Sequence, residues 1–261
     1  MIISVINLAY WQVALAYLFV LIVLFIIKSR GISREKELII ASVRMTVQLV
    51  IVGFLLAYIL DNPNPFITFG VVLLMTSFAI FTVFRKFKKQ ITVPLKKTVA
   101  LAIIFGSLPV LFYFLLVVIQ VNPYYDPQYF IPITGMIVGN SMTGVSLAVN
   151  NLIKRFTINK TEIEEALILG ATPKQASKEI VNDAFDAAIM PTLNSMLGMG
   201  IIFLPGMMTG QILSGVVPTL AILYQIAIML GILGGVSLTT YIFLMLGYKT
   251  YFNHEAQLIE H

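Results

Sequence analysis

The chain has 261 residues, 59% of them hydrophobic and only 11% charged, with a mean hydropathy of +0.94; these values exclude a soluble globular domain and predict an all-α polytopic membrane protein. The formal net charge of +5 sits in connecting segments, which points to membrane topology and the lipid bilayer rather than to nucleic acid. With no cysteine, disulfides, thiolate metal sites and cysteine nucleophiles are excluded, and because His254 and His261 both fall in the final tail, so is a histidine-based site within the membrane.

A hydrocarbon core of about 30 Å needs about 20 apolar residues in a helix. Runs of that kind cover 7–27, 38–60, 66–84, 98–120, 130–152, 189–208 and 218–247, predicting about seven transmembrane helices in one transmembrane domain, 1–261. The first run lacks a basic flank before it and is followed by Lys28 and Arg30, so it reads as a transmembrane helix and not as a signal peptide. Within 205–218, Pro205, Gly206, Gly210, Gly215 and Pro218 leave open a loop, a broken helix or a re-entrant segment.

Orientation follows from the 17 lysines and arginines: six lie in 85–97, four in 28–37, five in 154–178 and one at Lys249, while 61–65, 121–129 and 209–217 hold none. The positive-inside rule then places the N-terminus outside and the C-terminus in the cytoplasm of a multi-pass inner-membrane protein.

The one long polar stretch, 154–188, falls between the fifth and sixth runs and is predicted to be a cytoplasmic helical coupling insert. Thr161 with Glu164 forms one capping-box pattern, and Thr172, Pro173 and Gln175 form another; Gly170 between them is a left-handed C-cap candidate. A short helix over 162–169, a glycine elbow and a longer helix from 173 follow, with Ile163, Ala166 and Leu167 forming one apolar stripe. The order Glu164-Glu165-Ala166, three residues, Gly170, nine residues, Ile180 resembles the EAA loop of ABC-transporter permeases, with Glu165 in place of an alanine and Val181, Asn182 and Asp183 following Ile180 where that loop has one residue and then Leu-Pro. In such a loop Ile163, Ala166 and Leu167 would be the anchor and Glu164 or Glu165 a rim charge against a cytoplasmic ATPase.

Across its whole length the chain resembles the FetB (YbbM) permeases, most specifically in PITGMIVGNSMTGVSLAVN at 132–150, EEALILGATPKQA at 164–176 and MPTLNSMLGMGIIFLPGMMTGQILSGVVP at 190–218. The resemblance implies a membrane subunit of an ATP-driven exporter of iron, another metal or a metal complex, working as a homodimer with a separate FetA-like ATPase. On that reading this chain binds no cofactor itself and the ATP and Mg belong to the partner; no Gly-x-x-x-x-Gly-Lys-[Ser/Thr] phosphate loop occurs in the sequence. A plant branch of the family associated with aluminium tolerance and nucleotide sugars keeps a non-metal substrate open.

Candidate pathway residues are few. Arg44, with Gln48 one turn on, is the only ionisable residue inside a predicted span, and either snorkels to the interface or lines the pathway. Asn140, Ser141, Thr143 and Asn194 make either interhelical hydrogen bonds or a translocation surface. Met196 and Met199 are either flexible core filler or soft-cation donors; the metal, if any, stays unknown. Gly135/Gly139, Gly206/Gly210 and Gly231/Gly235 fit tight helix association within or between chains. A secondary transporter would normally use intramembrane carboxylates, and a membrane enzyme would need acid–base groups; the predicted spans contain neither Asp nor Glu.

Overall fold

The computed structural model describes residues 9–88, 90–253 and 255–259. Among the described residues every regular element is helical, in the order α1 (Tyr10–Ser29), α2 (Glu35–Asp61), α3 (Pro65–Lys86), α4 (Val93–Tyr113), α5 (Pro127–Ile158), α6 (Lys160–Ile168), α7 (Pro173–Ala176), α8 (Lys178–Gly198), α9 (Gly206–Leu213) and α10 (Pro218–Gly247). The start of the first expected span at Asn7, and both histidines, lie outside the described residues.

Six helical segments are long and apolar enough to cross a membrane: α1, α2, α3, α4 continued to Val118, α5, and α10 continued to Tyr251. The expected sixth run, 189–208, is not one helix. It comprises the end of α8, a non-helical link over 199–205 and the start of α9. Gly200 has φ +82° and Pro205 follows, so the apolar composition of the link does not translate into helix.

The chain divides into two units, one formed by 1–63 with 213–215 and the other by 64–212 with 216–261. In the first, α1 and α2 pair as a hairpin, joined by a hydrogen bond between the Tyr17 and Thr46 hydroxyls. Leu15, Phe19, Phe25, Ile51 and Phe54 are among the large apolar side chains exposed on it.

In the second unit α10 packs on α4, α5 and α8, and α5 packs on α3 and α8. Glycines allow the closest approaches. A Cβ on Gly106 would strike the backbone of Thr239, one on Gly144 would lie 2.8 Å from Val236, and one on Gly235 would lie 2.9 Å from Ile137. Of the Gly-x-x-x-Gly pairs, Gly231 and Gly235 therefore face neighbouring helices of their own chain, Phe114 and Ile137 respectively, while Gly206 and Gly210 face open space. Four fully buried hydroxyls, on Thr68, Ser141, Thr239 and Thr240, accompany this packing without a hydrogen-bond partner; their small side chains let the helices close on one another.

Two apolar cores result. One gathers Val83 from α3, Phe87 and Ile91 from the α3–α4 connection, Leu152 and Phe156 from α5, Ile163 from α6, Ile180 from α8, and Tyr251 and Phe252 after α10. The three basic segments of this unit, 85–97, 154–178 and the stretch around Lys249, thus meet at one end. The other core gathers Val72, Leu111, Phe114, Phe130, Ile133 and Ile232, with Phe130 and Phe69 edge to face at 5.7 Å. At Phe114 the backbone of α4 widens into one π-helical turn, Phe114–Val118, five residues after Pro109, whose missing N–H interrupts the helical ladder.

Candidate functional sites: a helical elbow and a methionine-lined cavity

The elbow begins where α5 ends. Asn159 both closes α5 and opens α6, and its side-chain amide donates to Glu162 at 2.9 Å. The helix therefore starts two residues earlier than the Thr161 pattern predicts, because α5 runs through to Ile158 and leaves Asn159 as the turn. The second cap is as expected: Thr172 Oγ1 accepts from the Gln175 N–H at 3.4 Å, Gln175 Oε1 accepts from the Thr172 N–H at 2.9 Å, and Pro173 takes the first helical position. Gly170, at φ +91°, makes the left-handed stop between them, with the Ala171 N–H returning to the Ala166 carbonyl at 2.9 Å.

Ile163 is 2% exposed and Ile180 is 4% exposed, both inside the core at this end, with Leu167 packed against it from the edge. The stripe that the sequence singles out is thus already occupied by the chain's own helices. The apolar side chains left outward are Ile168 at 84% and Leu169 at 87% exposed. Ala166 and Glu164 are half-buried and Glu165 is exposed; Glu164 also pairs with Lys160 at 3.9 Å along α6. Below the elbow Arg155 of α5 pairs with Asp183 of α8 at 2.8 Å, and Phe156 stacks on Tyr251 with ring centroids 4.0 Å apart. At this end of the unit α5 is in this way tied both to α8 and to the segment after α10.

The second site is a cavity of about 280 Å³ between α5, α8, α9, α10 and the link after α8. It brings together three of the sequence candidates, Asn140, Thr143 and Met199. Asn140 donates to the Met136 carbonyl at 2.7 Å and Thr143 to the Gly139 carbonyl at 3.1 Å. Met196 packs in the adjoining core. Ser141 is fully buried toward Gly235 of α10, and Asn194 is exposed. Arg44 and Gln48 are exposed on α2 of the other unit.

Sequence reasoning missed Gln225, Met136 and Met229 as lining residues, whereas Met207 belongs to the methionines that crowd the sixth expected run. Gln225 is 6% exposed, with its amide Nε2 donating toward Met199 Sδ at 3.8 Å. A lone amide in an otherwise apolar span is the signal that could have found it. No cluster of three or more histidine, aspartate or glutamate side chains that could hold a metal ion occurs among the described residues.

Among the described residues, six helical segments long and apolar enough to cross a membrane, a capped elbow and a half-open cavity define a multi-pass membrane protein. The chain belongs to the family described as UPF0014, "Uncharacterised protein family (UPF0014)", which it matches over residues 10–252. It is 37% identical over 249 residues to the UPF0014 membrane protein YjkA of Bacillus subtilis, covering 95% of this chain and 98% of that one. It is 34% identical over 263 residues to the "Probable iron export permease protein FetB" of Escherichia coli, covering 97% and 96%. Similarity extends to the protein ALUMINUM SENSITIVE 3 of Arabidopsis thaliana, 34% identical over 249 residues, covering 95% and 89%. No solved structure matches the chain.

Proposed function

We propose that the chain is the membrane half of an ATP-driven ABC exporter, energised by a separate cytoplasmic ATPase and assembled as a homodimer. The observation that carries this reading is the elbow: a short helix anchored by Ile163 and Leu167 in the core that also holds Phe156 of α5, Ile180 of α8 and Tyr251 after α10, yet presenting Ile168 and Leu169 outward. An exposed apolar pair at a glycine-capped tip suits a groove on a partner protein. Ile163, Leu167 and Ile180 then transmit force, Gly170 sets the bend, and Glu164, Glu165 and Ala166 flank the contact. Nucleotide-driven closure of two ATPases would move the bundle through this handle.

The convergence of the basic segments on the elbow's end supports placing that end in the cytoplasm. With the C-terminus there too, α8, the link and α9 together make the seventh crossing as a broken helix. Non-helical backbone is tolerated at membrane depth only where it lines a cavity or is buried in protein, and Met199, Phe203 and Pro205 of the link do line one. Export direction and a metal cargo are supported by the name of the Escherichia coli relative.

Co-expression with candidate cytoplasmic ABC ATPases from the same genome, followed by affinity purification in detergent, tests the reading. A stoichiometric complex with two copies of each chain is expected. A chain that purifies alone, at every ATPase and nucleotide combination tried, would overturn it.

A further inference from the structure

Four methionines reach the cavity from four separate segments: Met136 from α5, Met199 from the link, Met207 from α9 and Met229 from α10. Thioethers in a row along one helix are ordinary core filler. Here they come from separate segments to line one half-open cavity of about 280 Å³. Gln225 fixes one of them, since its amide donates toward the Met199 sulfur at 3.8 Å.

The remaining polar lining, Asn140, Thr143, Thr192, Ser195 and Gln225, is uncharged, and no carboxylate, imidazole or amine lines the cavity. The cost of desolvating an ion grows with the square of its charge, so a bare dication entering a neutral wall costs about four times as much as a monovalent one. Hard dications also prefer carboxylate and carbonyl oxygen, whereas thioether sulfur selects soft d10 ions such as Cu(I). We infer that this cavity binds a soft monovalent metal ion, of the class Cu⁺ and Ag⁺, through the sulfurs of Met136, Met199, Met207 and Met229.

The inference gives the transport reading a cargo class and rests on that reading for its physiological meaning, but its test needs neither ATP nor an ATPase, so each fails separately. Purified full-length chain is loaded with Ag⁺ in chloride-free buffer and desalted, and bound metal is counted by mass spectrometry. X-ray absorption at the silver edge then reads the ligand atoms. Retention in proportion to chain, with a sulfur shell, is expected. Met199→Leu and Met207→Leu should each weaken retention roughly tenfold or more, while Met45→Leu on α2 and Met190→Leu on α8, neither lining the cavity, leave it unchanged. Methionine to leucine conserves volume and keeps the fold, which a thermal melt checks. Met136→Leu and Met229→Leu repeat the test from the two continuous helices. No retention by the parent chain, a nitrogen or oxygen shell, unchanged retention in the lining variants, or equal retention of Fe²⁺ under anaerobic conditions would overturn the assignment.

Discussion

The two apolar cores of the larger unit differ in how much methionine they hold. The core at the elbow end is mostly alanine, valine, isoleucine, leucine and aromatic side chains, with Met142 and Met245 at its edge, and reaches out to hold α6 and the segment after α10. The core beside the cavity takes in Met136, Met196, Met199, Met207 and Met229 alongside Phe114, Phe130 and its aliphatic side chains. Branched and aromatic side chains have few rotamers and pack in one way, whereas methionine is flexible and tolerates several. One end of the molecule therefore suits the transmission of a movement, and the other suits the accommodation of something that comes and goes.

Mutations separate the two. Between the cores, Gly106→Val would drive its side chain into the Thr239 backbone; backbone cannot yield as a side chain tip can, and the expected outcome is loss of folded protein, read as failure to elute as a single species from size exclusion. In the stiff core, Phe243→Ala removes a side chain that is 0% exposed and is expected to cost about 3–5 kcal/mol, measured by denaturant or thermal unfolding in a fixed detergent. In the adaptable core, Met229→Leu should cost less than about 1.5 kcal/mol by the same measurement. Equal costs at Phe243 and Met229 would erase the distinction. At the elbow, Gly170→Ala meets no neighbour within 4 Å but keeps φ at +91°, so its cost is backbone strain alone, about 1 kcal/mol, with faster hydrogen exchange confined to 166–172.

Much of this architecture is legible in the sequence, because lipid demands long apolar helices and hydropathy reads them directly. The elbow was legible for a different reason: Thr172, Pro173, Gln175 and Gly170 impose local backbone chemistry that needs no tertiary context. The break after Gly198 was not, since Met199, Ile201, Ile202 and Phe203 are as apolar as a helix, and only Gly200 and Pro205 hint that the backbone leaves it. Nor was the outward direction of Ile168 and Leu169. Spacing identifies a stripe, but which stripe the chain buries against itself depends on helices far away in sequence, here α8 and the segment after α10. Gln225 escaped because averaging over a window hides one amide among thirty residues of α10.

The central claim, that the tip of the elbow seats on an ATPase, has a direct test that exploits the absence of cysteine from the chain. Leu169→Cys and, in the link that follows α8, Ile201→Cys each introduce a single thiol at an exposed apolar position, 87% and 91% exposed. Each is labelled with benzophenone maleimide and irradiated in membranes that contain the co-expressed ATPase. The account predicts a cross-link to the ATPase from position 169 and none from 201. A cross-link from 201 alone, or from neither position while the two proteins co-purify, would contradict it.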